Sequence, residues 1–392
     1  MRIMTKSNER SYRPEFWERL QLFKDCIAMK KPKRIPLLSC FYTWKILDSD
    51  SGYKLSEAMA NYDVMERVVC EFHERYQFDA YNELGTRNMV KPFDDLGSRY
   101  YIIDDEKEVV NYYDHVLMEG SEYKDFAEDP KAMYWKMFLR RFPNVTKGQM
   151  VNAIQKYLEF RAFAAHMSKK FIEEYHCPAT YNFLGAGVPL VPFEAFFQHY
   201  RGIRESSLDV RKHKSELKEA MDKYFEIDTM PKVRALLTSD NTCFITDIRT
   251  ALLGHSVLSP KQFEELYWPY MKQIIDETVA AGRTINIFAE SSIMRLVEYF
   301  QDIPKGHVLI HPELDDVIGL RKELPNICIC GGMKSELLGY GTPEECVAYA
   351  KHLVEEIGEG YIFSQNKMMS FRNDCKRENL LAVNEFVRNY RC

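Results

Sequence analysis

The feature that most constrains this chain is an alternation, through its second half, of short β-branched apolar runs with amphipathic stretches of helical period. Such runs read as parallel strands, and a parallel strand returns to its sheet only through a crossover long enough to hold a helix. The predicted strands are 243–247 (CFITD), 284–289 (TINIFA), 307–311 (HVLIH), 326–332 (NICICGG) and 361–365 (YIFSQ). Capping chemistry marks the helix starts between them. Ser259-Pro260-Lys261-Gln262 and Thr342-Pro343-Glu344-Glu345 each supply a hydroxyl cap, a first-turn proline and an N3 side chain that can answer the cap's own N–H. Three earlier runs, 34–40, 78–85 and 179–187, bring the strands to eight, the number with which an α/β chain closes as a (β/α)8 TIM barrel.

About 95 residues separate the second and third strands, more than one crossover needs. They hold an alternating stretch over 99–113 and a helical run from about 148 to 175, so an inserted helical and hairpin segment is expected over about 86–178. No Gly/Ser/Pro-rich linker and no internal repeat divides the chain, and 1–392 reads as a single barrel domain carrying that insertion.

Composition removes several classes of partner. Lys and Arg number 53 against 58 Asp and Glu, a net charge of -5 that disfavours nucleic acid. No apolar run approaches the roughly 20 residues that span a bilayer, and the opening MRIMTKSNERSYR is too polar for a signal peptide. A cytoplasmic protein without a membrane partner is expected. The ten cysteines are scattered and form no C-x-x-C pair, so reduced thiols are expected. Lys30-Lys31-Pro32-Lys33-Arg34 reads as a solvated loop before the first strand.

In a (β/α)8 barrel the carboxyl ends of the strands share one mouth, and polar residues there are the first candidates for chemistry. They are Glu83 after the second strand, Asp247 and Arg249 after the fourth, Glu290 after the fifth, His311 after the sixth and Ser364 to Lys367 after the eighth. Period-two alternation puts Asn286, Phe288 and Glu290 on one face and His307, Leu309 and His311 on one face of the next strand. Glu290 and His311 thus end neighbouring strands, an arrangement that suits a Zn²⁺ site, an acid/base pair or a hydrogen-bonded pair that only caps the strands. Asp247 with Arg249 reads either as a salt bridge at a strand junction or as a grip on a ligand carboxylate or hydroxyl. Cys328 and Cys330 share a strand face, but two thiols make no tetrahedral metal site, and buried apolar cysteines are the expectation.

The segments SPKQFEELYWPYMKQIIDETVAAG, TINIFAESS, NICICGGM, LLGYGTPEECVAYAKHLVEEIGEGYIFSQ and KRENLLAVNEF, taken in order, resemble the uroporphyrinogen decarboxylase superfamily. The resemblance implies a (β/α)8 barrel and one of three activities. Members that decarboxylate uroporphyrinogen carry an MRQAGR-like segment after the first strand and an FSD motif after the second, where this chain reads SCFYTWK and YNELG. Members that methylate thiols bind zinc through His-x-Cys after the fifth strand and a Cys after the eighth, where this chain has Phe288, Glu290 and Gln365-Asn366-Lys367. Members that demethylate ethers resemble a zinc pattern of Glu, fourteen residues, Glu, twenty residues, His. Glu290 and His311 match its second half, and the first position falls on Ile275, beside Asp276 and Glu277, so that a different carboxylate, Glu83 or Asp247, would complete the shell.

The resemblance therefore implies a methyltransferase of anaerobic O-demethylation, moving a methyl group from a methyl ether or related small donor to a corrinoid (cobalamin) protein. In that reading zinc is held by Glu290 and His311, while Glu83, Asp247 and Arg249 orient the substrate. Two alternatives stand beside it. One is a decarboxylase of uroporphyrinogen or a smaller acid, with Arg249, Lys45 or Lys367 holding carboxylate; the other is a non-catalytic barrel that binds a corrinoid or tetrapyrrole. A homodimer, which some members form, is also allowed.

Overall fold

Parallel pairing organises the chain. The computed structural model describes residues 12–97 and 100–391; the opening segment weighed as a leader lies, up to residue 11, outside them, as does Arg99 of the alternating stretch. β1 (Leu38–Ser39) pairs in parallel with β2 (Ala80–Tyr81), and β3 (Tyr101–Asp104) pairs antiparallel with β4 (Val109–Tyr112). A five-stranded parallel sheet follows in chain order: β5 (Ile248–Leu252), β6 (Ile285–Ala289), β7 (Val308–Pro312), β8 (Cys328–Met333) and β9 (Tyr361–Gln365). Single parallel bridges join Leu37 to Phe363, Tyr81 to Ala179 and Ala179 to Phe244.

Burial explains which runs became strands. Every position of β6, β7, β8 and β9 is buried, as happens when both faces of a parallel sheet are covered. Leu38, Ala80, Ile245, Leu309, Cys328, Cys330 and Ile362 pack together with Phe16, Leu20 and Phe23 of the helix Pro14–Ile27. A second, larger apolar layer runs from Ile35 to Val387. Cys328 and Cys330 are fully buried and burial pushes both thiols up, Cys328 to about 12, so they behave as the apolar residues expected.

The capping boxes form as read. Gln262 N donates to Ser259 Oγ at 3.3 Å and Ser259 N to Gln262 Oε1 at 2.9 Å; Thr342 and Glu345 make the same exchange. Each cap is worth about 1 kcal/mol.

The fourth strand differs from its prediction. Of the predicted 243–247, Cys243 ends a turn in which Asp240 Oδ1 accepts from Thr242 N at 3.2 Å, Phe244 keeps a single parallel bridge to Ala179, and the ladder to β6 begins only at Ile248. Residues 245 and 246 pair with the other neighbour, Ile245 N donating to Ala179 O and Thr246 N to Thr180 O. The third run, 179–187, keeps only the bridges at Ala179, and its remainder turns. Between β2 and Ala179 lie the β3–β4 hairpin and the helices Val90–Asp95, Tyr123–Glu128, Pro130–Arg141 and Lys147–Glu173. In the basic loop Lys30, Lys31 and Lys33 are exposed, but Arg34 forms a bidentate pair with Asp79 at 2.7 and 2.6 Å. Among the described residues no helix is long and apolar enough to cross a membrane.

Candidate active site

β5 departs from the other sheet strands because Arg249 and Ala251 are only half-buried, and the space they face is a cavity of about 530 Å³. The segment after β2 supplies Asn82, Glu83 and Arg87 to its wall, the turn after Ala179 supplies Tyr181 and Phe183, and the helix Lys147–Glu173 supplies Phe160 and Phe163. Phe163 stacks on Tyr62 at 4.8 Å between centroids, which fixes that helix over the cavity. An adjoining cavity of about 780 Å³ shares Arg87 and Met89, and reaches Glu290 and the hairpin's Tyr101 and Tyr112.

Two arginines set the electrostatics. Arg249 lies over the Tyr181 ring at 5.2 Å and the Phe288 ring at 5.8 Å, and Arg87 lies over Tyr42 at 4.7 Å. Neither forms an ion pair with a carboxylate among the described residues. Glu83 and Glu290 act on Arg87 from farther away. Burial, and after it Glu313, pushes the Glu290 carboxyl above its ordinary range, against the pull of Arg87 and Arg249. Ser291, next to it, sits at φ +61°, a strained conformation for a residue with a side chain, and its N–H donates to Glu313 Oε2 at 2.8 Å.

His311 is buried and packs edge-on to Phe288 at 5.0 Å. Its Nε2 is 2.7 Å from the carbonyl oxygen of Gln365. A carbonyl can only accept, so Nε2 carries the proton and Nδ1 keeps the lone pair of a neutral ring. Burial lowers the imidazole to about 4, which keeps it neutral near pH 7. Arg249 is the common neighbour that acts electrostatically on both Glu290 and His311.

Other sequence candidates are engaged elsewhere. Ser364 Oγ donates to Leu38 O at 2.8 Å, and Lys367 pairs with Asp374 at 2.7 Å. Lys45 is fully buried, donates to Glu83 O at 3.1 Å and is lowered to about 8 by burial. Asp247 is a correction, because the fourth strand starts where it was expected to end. It sits at the amino end of β5 outside the cavity lining, its Oδ2 accepting from Thr284 N and Oγ1 at 2.9 Å each and its Oδ1 from Arg283 at 3.1 Å. Asp247→Ala is therefore expected to lower stability by about 2 kcal/mol by orphaning those donors, while ligand binding in the cavity stays unchanged. Urea unfolding alongside ligand titration checks both halves.

Sequence reasoning missed Arg87, Tyr181 and Glu194. Arg87 follows Glu83 by four residues, and that proximity to a strand end was the available signal. Glu194 is fully buried and accepts from Leu253 N and Gly254 N at 2.8 Å and from Tyr267 at 2.6 Å, which pins the turn after β5.

The zinc expectation meets a donor set that does not fit it. Among the described residues no group of three or more His, Cys, Asp or Glu side chains is placed to hold a metal ion. Ile275 is buried in the core, and its neighbours Asp276 and Glu277 pair with Lys272 and Arg234. Zinc needs at least three protein ligands in a catalytic site, and Glu290 with His311 supplies two.

Parallel strands with a largely apolar cavity that carries a few charged groups at their ends define an α/β protein of the enzyme-bearing kind. The family profile for uroporphyrinogen decarboxylase (URO-D) matches residues 187–390, just over half of the chain, and the protein belongs to that family. A solved structure of a methyltransferase from Methanosarcina mazei shares the fold, with a TM-score of 0.59 over 94% of this chain and 97% of that one at 13% identity. No curated protein matches the chain in sequence.

Proposed function

We propose that the protein is a cytoplasmic methyltransferase that moves a methyl group from a small methyl ether to the cobalt of a corrinoid carried by a partner protein. The chain is then one (β/α)8 domain over 1–392 with an insertion over about 86–178, in which the bridges at Leu37, Ala179 and Phe244 join β9, β1, β2 and β5 into a ring. The likeness to the Methanosarcina methyltransferase supports this reading at the level of fold.

The observation that carries it is Glu290. It ends β6, borders the cavity that shares Arg87 with the smaller one, and holds a carboxyl pushed up by burial and Glu313. In the reaction the electron pair of Co(I) forms the Co–CH3 bond, the C–O bond breaks, and its electron pair stays on oxygen. That oxygen is a poor leaving group unless its charge is met as it develops. A raised carboxyl suits proton donation to it, and Arg249 and Arg87 supply positive charge beside it. The carboxylate then regains a proton from water. No step needs a metal resident in this chain.

The test is loss of the Co(I) absorption band when cob(I)alamin, enzyme and a panel of methyl ethers are mixed. Turnover is expected with at least one donor, falling about 100-fold or more in Glu290→Gln, the usual range for a general acid. A panel that leaves the band unchanged would sink the reading.

A further inference from the structure

A third cavity, of about 500 Å³, opens on the inserted segment, where the turn after the helix Val90–Asp95 and the stretch after β4 meet the junction of the helices Pro130–Arg141 and Lys147–Glu173. Its wall holds two arginines, Arg140 and Arg141, beside His115 and the amide side chains of Asn144 and Gln149, and no carboxylate. Arg140 is engaged, donating to Glu122 Oε2 and Oε1 at 2.6 and 2.8 Å and to Leu117 O at 2.7 Å. Arg141, by contrast, forms no ion pair among the described residues, and its Nη2 reaches His199 O only at 3.4 Å. Its guanidinium lies over the Tyr100 ring at 4.6 Å. Burial lowers it, and the groups that pull it back are the phenols of Tyr100 and Tyr200, not a carboxylate. A half-buried guanidinium without a counter-charge has lost hydration that an anion can replace.

The remaining groups favour a doubly charged occupant. Glu122 is shared by Arg140 and Lys136, so that trio keeps one positive charge, and Arg141 adds a second. Glu119 also acts on Arg140, but its side chain is 66% exposed and screened by solvent. Gln149 sits in the first turn of the long helix, whose positive dipole end attracts anions. Its Oε1 accepts from Thr146 N and Oγ1 at 2.9 Å each, which leaves its NH2 group outside the cap. A guanidinium, a carboxamide and a helix N-terminus donate in different directions. That suits the tetrahedral oxygens of a phosphate better than the two coplanar oxygens of a carboxylate.

We propose that this cavity is a phosphate site, with Arg141 as the receptor of a free phosphate ion or of the phosphate group of a small ester. Such a site is independent of methyl transfer and exists whether or not the protein performs it. Arg141 and Tyr100 also line the cavity that Glu290 borders. A phosphate on Arg141 therefore meets the wall of the mouth from outside, a position from which it acts on the mouth without entering it.

The test is isothermal titration of the full chain with inorganic phosphate, glycerol 3-phosphate and acetate. Inorganic phosphate is expected to bind about 10-fold or more tightly than acetate, and Arg141→Met to weaken it about 10- to 100-fold, with Arg141→Lys in between. Arg249→Met, in the other cavity, is expected to leave phosphate affinity unchanged. Glycerol 3-phosphate binding more tightly than inorganic phosphate identifies an ester as the occupant, and binding no more tightly identifies the free ion; either supports the site. No phosphate binding, acetate binding as tightly as phosphate, or an unchanged affinity in Arg141→Met would overturn it. So would a loss of phosphate binding in Arg249→Met, which would put the anion at the mouth. If Arg141→Met fails to fold, Arg141→Lys and the wild-type comparison of phosphate with acetate still decide.

Discussion

Lowering the pH from 7 to 5 is expected to remove on the order of 5 kcal/mol of folding stability, most of it through three histidines. His73, His255 and His311 are each less than a tenth exposed, and burial lowers each to about 4; the partly exposed His199 is lowered to about 4 in the same way and adds to the same loss. Their unfolded value is about 6.5, so between about pH 4 and 6.5 the unfolded chain binds more protons than the folded one. Their contribution is complete above pH 6.5 and is lost as the pH falls toward 4. At pH 5 each loses roughly 2 kcal/mol, against a total stability of about 5 to 15 kcal/mol for an ordinary domain. Glu194 and Glu290, pushed up chiefly by burial, act in the opposite sense and offset part of the loss as they take up protons. Urea midpoints at pH 7, 6 and 5 measure the sum. His73→Phe is expected to flatten the slope by about a third, since His73 sits among Tyr81, Phe171 and Tyr175, where a ring without nitrogen still packs. A midpoint that does not move between pH 7 and 5 would show that these imidazoles are protonated without penalty.

The parts of this fold that were readable in sequence are those where burial is two-sided. β6, β7 and β9 fall within one residue of their predicted ranges because a strand covered on both faces must be apolar at every position. β5 was misplaced for the converse reason. Its cavity face carries Arg249, so IRTAL looks less like a strand than the apolar CFITD before it, although the ladder runs through IRTAL. The error carried Asp247 to the mouth on paper, whereas its hydrogen bonds place it at the strand's other end. Ile275 could have been recognised as core from spacing alone. It lies with Met271, Ile274 and Thr278 on the buried side of the helix Trp268–Ala280, and helical period assigns that stripe to the interior.

The direction of Arg87 and the partner of His311 were illegible for different reasons. Arg87 stands in an irregular segment after β2, where its direction depends on the Tyr42 ring from another part of the chain. His311 is recognisable as a strand-end residue, but it bonds to a backbone carbonyl 54 residues on, and a carbonyl has no sequence signature.

Gly331→Ala is expected to cost about 3 to 5 kcal/mol and to loosen His311 at the same time, because one backbone position serves both fold and site. Gly331 lies at φ +105°, where a residue with a side chain pays roughly 1 to 3 kcal/mol. A Cβ there would stand 2.9 Å from His311 Cδ2 and 3.0 Å from Nε2, so the ring crosses β8 over the bare glycine to reach Gln365 O. The methyl group would push the ring off that carbonyl and leave a buried N–H unpaired, a further 1 to 3 kcal/mol or so. Gly282→Ala separates the two effects: Gly282 sits at φ +65° with nothing within 4 Å of the added carbon, and should show the backbone cost alone. Repeating Gly331→Ala in a His311→Ala background gives the coupling directly. With the ring gone, the penalty should shrink to the Gly282 level. A penalty that stays whole in that background would mean that backbone strain, and not the imidazole, requires the glycine.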